Sequence, residues 1–196
     1  MIFGTISNTL TALRILLLPL FIACFWLEGS NAAMIQALFF VLLGLTDFAD
    51  GWLARYLQQE SHFGAVMDPI ADKLLVIITL IMLLSNDTIS GIHTLAVILI
   101  ISREIIISGL REALVQVNSN KLAVSVLAKW KTTLQFSTLA LLLFSPSPIY
   151  PEGSIFALAP MYFLWITAAL TIKTGFDYSL ITYRTFRKKP EITPAL

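Results

Sequence analysis

The chain has 196 residues, of which 57% are hydrophobic and only 13% charged. Soluble domains carry about 25% charged residues, so this composition excludes an ordinary water-soluble domain and favours a single bundle in a bilayer. The net charge of +1 gives no reason to expect a nucleic-acid partner, and the lone cysteine, Cys24, excludes an internal disulfide and reads as an inert core residue.

About 20 mainly apolar residues span the roughly 30 Å hydrocarbon layer, and backbone amides in lipid must pair within their own segment, so such runs are helices. The first lies near residues 8–27. A single basic residue, Arg14, precedes its most apolar part, and more hydrophobic runs follow, so it is read as a membrane helix and not as a cleaved leader. Further spans are expected near 32–56, 65–85, 90–115, 122–145 and 154–183. The predicted fold is all-α: a polytopic membrane protein of six transmembrane helices, with one domain over residues 1–186 and a basic tail over 187–196.

The breaks on one side, "EGSN" at 28–31, "SNDTISG" at 85–91 and "SPSPIYPEG" at 145–153, hold Glu28, Asp87 and Glu152 but no lysine or arginine. Basic residues gather at the opposite ends of the spans, at Arg55, Lys73, Arg111, Lys121, Lys129, Lys131 and the tail "RTFRKK". Cytoplasmic loops collect Lys and Arg, so both termini are expected on the cytoplasmic side.

That same side holds "TDFADGWLARYLQQESHFGAVMDPIADK", residues 46–73, with four aspartates. Asp47 and Asp50 are spaced i, i+3 at the inner end of the second span, and Asp68 and Asp72 are spaced i, i+4 at the start of the third. Each pair shares one helical face. Pro69 fits the first turn of a helix, where its missing N–H is not needed. A single aspartate there would simply solvate a helix end. Four are costly: each carries about 2.5–3.5 kcal/mol at mid-bilayer on insertion scales, before their mutual repulsion. Two divalent cations would cancel that charge, and hard oxygen ligands suit Mg²⁺ or Mn²⁺.

The pattern Asp47-xx-Asp50-Gly51-xx-Ala54-Arg55, eight residues, Gly64-xxx-Asp68-xxx-Asp72 resembles the signature of the CDP-alcohol phosphatidyltransferases at every fixed position. The resemblance implies a two-metal site that holds the diphosphate of a CDP-linked lipid. It makes Asp47, Asp50, Asp68 and Asp72 metal ligands, with Asp72 also the base for the incoming alcohol. Gly51 and Gly64 would let a nucleotide approach the backbone. Ala54 lies within the same lipid-nucleotide site, and Arg55 would meet phosphate oxygens there. By likeness to the family's opening segment, Asn8 and Thr11 in "SNTLTALR" lie near the nucleotide, as does Ser61 in "SHFG". Ser7 and Ala128 depart from the family, which usually has proline and glycine there.

The acceptor is addressed by "SREIIISGLREAL", where Arg103 and Arg111 lie about 12 Å apart along a helix and roughly 80° apart around it. An arginine as deep as Arg103 needs an anionic partner or a wet cavity; an internal salt bridge would also serve. With Lys129 in "AKWKTTLQ", these segments resemble the family branch whose acceptor is glycerol 3-phosphate. On that likeness Arg103, Arg111 and Lys129 contact the acceptor phosphate, CDP-diacylglycerol is the donor, and the enzyme is a homodimer in the bacterial inner membrane with its site facing the cytoplasm. Two alternatives stay open. One is a sibling using another acceptor, such as inositol phosphate or phosphatidylglycerol. The other is a divalent-cation transporter, which would place its acids mid-membrane in broken helices.

Overall fold

A computed structural model describes residues 6–57, 62–116, 126–145 and 155–187. The described residues form six α-helices and no strand: α1 Ile6–Ala23, α2 Ala32–Leu57, α3 His62–Ser85, α4 His93–Gln116, α5 Val126–Phe144 and α6 Ile155–Arg187. A short 3₁₀ turn, Cys24–Trp26, ends α1. Each helix falls on one of the apolar runs. Two ends reach well past the expected spans: α3 starts three residues early, at His62, and α6 runs four residues on, to Arg187.

Helices α1 and α2 form a hairpin closed by Gln36, whose Nε2 donates to the Cys24 carbonyl over 3.2 Å. The Cys24 thiol is half-buried and donates to the Leu20 carbonyl, so the cysteine caps a helix end and is not a core residue. The α3–α4 turn uses Asp87 at φ 59° and Gly91 at φ 58°, the left-handed region that aspartate tolerates and glycine favours. Ile89 N–H returns to the Leu83 carbonyl over 2.9 Å, and the Ile89 side chain tucks into the core.

Three cross-contacts fix the direction of α6 against α4. Trp165 Nε1 donates to His93 Nδ1 over 3.0 Å, Arg103 reaches Thr174, and Arg111 reaches Tyr178. Both numbers rise together, so the two helices run parallel, and α5 returns between them in sequence. The core of Phe21, Phe40, Leu43, Leu75, Leu80 and Leu139 is fully buried. Phe40 stacks on Phe136 with ring centroids 4.4 Å apart, above Gly44, where a Cβ would collide with the Phe136 ring.

The surface is apolar. Leu13, Leu16 and Leu20 on α1, and Ile35, Leu38, Leu42 and Leu45 on α2, face outward. Gln36, Thr79, Gln135, Thr138, Thr167 and Thr171 are buried. That ordering reverses the one water imposes and matches the one lipid imposes. Among the described residues, His93–Glu112 is the one segment both long and apolar enough to cross a bilayer, and Thr11–Trp26 and Ala32–Thr46 are shorter apolar helices. The other expected crossings rest on helix length and on the outward apolar faces. The tail from residue 188 lies outside the described residues.

Candidate active site

The motif sits deeper in the helices than its sequence position suggests. Asp47 and Asp50 lie ten and seven residues before the end of α2, and Asp68 and Asp72 lie six and ten residues after the start of α3. Pro69 is the eighth residue of α3 and not in its first turn, because the helix begins at His62. It therefore cannot donate to the carbonyl one turn back, inside the helix. Counted from the α2–α3 connection, the two aspartate pairs lie at similar numbers of residues along their helices.

The side chain of Asp72 is described; it is half-buried. Asp47, Asp50, Gly51, Ala54 and Arg55 lie on α2, Gly64 and Asp68 on α3, Asn8 on α1 and Lys129 on α5, with their side chains outside the described part. Ser61 lies outside the described residues altogether. Thr11 is fully buried on α1. Among the described residues no three metal-ligating side chains converge, Asp72 being the one motif carboxylate among them. All four motif positions carry carboxylates, hard oxygen donors at helical spacing. That donor set fits Mg²⁺ or Mn²⁺.

Asp72 borders a cleft and a groove. One is a cleft of about 220 Å³ whose charged lining is Lys73, Arg103, Arg111 and Lys131 with Asp72 and Glu104. Among the described lining residues, four cations against two carboxylates give a net charge of +2. The other is an open, largely apolar groove of about 450 Å³ between α2 and α5, lined by Val41, Gly44, Leu45 and Phe136. Asp72 and Thr132 belong to both.

The cations are held, not loose. Arg103 Nη1 donates to Glu104 Oε1 over 3.3 Å, and its Nη2 donates to Thr174 Oγ1 over 3.1 Å. Lys131, which is 3% exposed, donates to the same Glu104 oxygen. Arg111 Nη2 donates to Tyr178 Oη over 2.9 Å. The internal ion pair expected as one fate for Arg103 thus exists, and its partner is the neighbouring glutamate. One carboxylate on α4 ties α4 to α5 and leaves Arg103 with N–H groups to spare.

Sequence reasoning placed Arg103 and Arg111 at this cleft and missed Glu104, Thr174 and Tyr178. It also treated Lys131 as a determinant of topology. A glutamate in the apolar run "IISREIIIS" was a signal, since a carboxylate that deep requires a partner. Nothing local in "KTGFDYS" marks Thr174 or Tyr178, because their partners lie about 70 residues away.

Comparison with known proteins adds the following. A family model described as CDP-alcohol phosphatidyltransferase matches residues 4–173. A Rickettsia felis protein named CDP-diacylglycerol–glycerol-3-phosphate 3-phosphatidyltransferase is 42% identical over 174 residues, covering 88% of this chain and 92% of that protein. Proteins of the same name from Haemophilus influenzae, 38% identical, and Salmonella paratyphi A, 40% identical, cover 86% and 82% of this chain and 88% and 89% of their own lengths.

Proposed function

Since the chain belongs to the CDP-alcohol phosphatidyltransferase family, we propose that it transfers the phosphatidyl group of CDP-diacylglycerol to sn-glycerol 3-phosphate. The hydroxyl oxygen of the acceptor bonds to the lipid-bearing phosphorus, the bond from that phosphorus to CMP breaks, and phosphatidylglycerophosphate and CMP leave. The observation that carries this reading is the +2 cleft beside Asp72. A phosphomonoester dianion balances it, whereas a neutral polyol brings no charge to do so.

Each substrate has a place. The acceptor phosphate lies against Arg103 and Arg111, with Lys129 close by in sequence to Lys131 on α5. Its hydroxyl then comes next to Asp72, which takes the proton as the new bond forms. The apolar groove between α2 and α5 opens to the outer surface and suits an acyl chain, while Asp72 at its inner end marks where lipid and acceptor meet. Asn8, Thr11, Gly51, Ala54, Arg55, Ser61 and Gly64 are assigned to the lipid nucleotide on the family motif.

Asp47, Asp50, Asp68 and Asp72 are the residues that would hold two divalent cations, Mg²⁺ or Mn²⁺. Bound there, such ions stabilise negative charge on diphosphate oxygens during in-line displacement. The apolar exterior supports a membrane setting, and the basic end of the bundle supports a cytoplasmic site at the inner membrane. Homodimer formation is carried by the family resemblance.

Kinetics of Arg103→Ala and Arg111→Ala test the reading. Each loses charge-assisted contacts to the acceptor phosphate, so the KM for glycerol 3-phosphate is expected to rise at least about tenfold. The KM for CDP-diacylglycerol should stay near its starting value. Unchanged acceptor KM in both variants would refute the phosphate pocket.

A further inference from the structure

Both cleft arginines end on the same short stretch of α6. Arg103 Nη2 donates to Thr174 Oγ1, and Arg111 Nη2 donates to Tyr178 Oη. Thr174 and Tyr178 are i, i+4, hence one above the other on a single helix face. Gly175 lies between them, beneath the stem of Arg103. A Cβ at that glycine would sit 2.8 Å from Arg103 Cγ and 3.3 Å from Nε.

The three contacts are chemically selective. The single proton of the Thr174 hydroxyl goes to the helix backbone, with the carbonyls of Leu170 and Thr171 at 2.9 and 3.0 Å. The oxygen is therefore left with a lone pair to receive a guanidinium N–H. Tyr178 is 5% exposed, and the Arg111 guanidinium carbon lies 5.2 Å from its ring centroid, so ring and hydroxyl both engage the same cation. Neither contact neutralises its arginine, as a carboxylate would. Each fixes the position of the charge without adding an anion to it, so Glu104 is the carboxylate seen on Arg103 among the described residues.

We propose that Thr174, Gly175 and Tyr178 form a positioning station on α6, which holds Arg103 and Arg111 in place to receive the acceptor's phosphate. This rests on the reading of the cleft as the acceptor site. The family match ends at residue 173, so the station is not supplied by that match. Arginine side chains are rich in rotamers, and fixing them before the acceptor arrives removes an entropy cost from binding. The station thus acts on acceptor affinity and not on the chemical step.

The test uses the purified full-length protein, following CMP release while glycerol 3-phosphate and CDP-diacylglycerol are varied in turn. Gly175→Ala pushes the Arg103 stem aside and should raise the acceptor KM about tenfold, with the lipid KM within about twofold of its starting value. Tyr178→Phe keeps the ring but loses the acceptor oxygen, and Thr174→Val loses the hydroxyl; each should raise acceptor KM roughly threefold to fivefold. Thr174→Ser keeps the hydroxyl and should recover most of that loss. Phe176, 66% exposed on the outer side of the same helix, provides a control in Phe176→Leu, which should leave both constants alone.

If acceptor KM is unchanged in the α6 variants while Arg103→Ala and Arg111→Ala raise it, the station is refuted and the phosphate pocket stands. If the arginine variants are also silent, the pocket itself fails. Equal changes in both KM values, or no recovery with serine, would show a merely structural role and also overturn the proposal. Should Gly175→Ala fail to fold, Tyr178→Phe and the Thr174 pair decide the matter.

Discussion

Asp72 borders both the basic cleft and the apolar groove, whereas Glu104 borders the cleft and is committed to Arg103 and Lys131. On the proposed reading the two carboxylates do different work. Asp72→Asn should lower kcat by at least about a hundredfold, the scale of losing a general base, while metal-dependent binding of CDP-diacylglycerol survives in part. Single-turnover CMP release beside a direct binding measurement checks this, and undiminished turnover contradicts it. Glu104 is a structural tie. With Lys131 3% exposed and the Glu104 side chain 10% exposed, removing one partner leaves a buried charge, at a cost of about 3–5 kcal/mol. Glu104→Gln and Lys131→Met should each lower the thermal midpoint, and the double variant should lose less than the two losses combined. Strict additivity would show that the pair does not couple.

At the scale of helices, the sequence was informative wherever a property is local. Six apolar runs gave six helices, because run length and turn-rich breaks decide where a helix can exist. The aspartate spacing gave shared faces, because helical periodicity is fixed. The start of α3 was misjudged. Proline suggested a first turn, yet α3 already begins at His62, and tertiary packing tolerates the lost hydrogen bond. Contacts between distant helices were not legible. Lys131 looked like a topological lysine until α5 placed it on Glu104, 27 residues away. Nor does anything near His93 in sequence mark its Nδ1 as the acceptor for Trp165, 72 residues away. Glycine roles at Gly44 and Gly175 likewise depend on which side chain crosses over them.

At the scale of the molecule, an outward shell of leucine, isoleucine and phenylalanine surrounds an apolar core with buried threonines and glutamines, and the charged cleft lies toward the end where α3 starts. The acidic α3–α4 turn with Asp87 lies at the other end, where α4 starts. This arrangement predicts opposite accessibility for the two ends. In a Cys24→Ser background, Asp87→Cys should react with an impermeant maleimide in right-side-out vesicles, and Arg187→Cys only in inverted ones. Labelling of both from the same side would contradict the three crossings, α4, α5 and α6, that separate them.

On the proposed reading, an oily substrate and a doubly charged one would meet at Asp72, because the bundle offers each a surface of its own kind. The most direct test is CMP release by the purified protein from CDP-diacylglycerol, with glycerol 3-phosphate, glycerol, inositol and inositol phosphate compared at equal concentration, with Mg²⁺ or Mn²⁺ and with EDTA. Strong turnover is expected with glycerol 3-phosphate alone, and none in chelator. Faster release with glycerol or inositol, or full activity in EDTA, would contradict it.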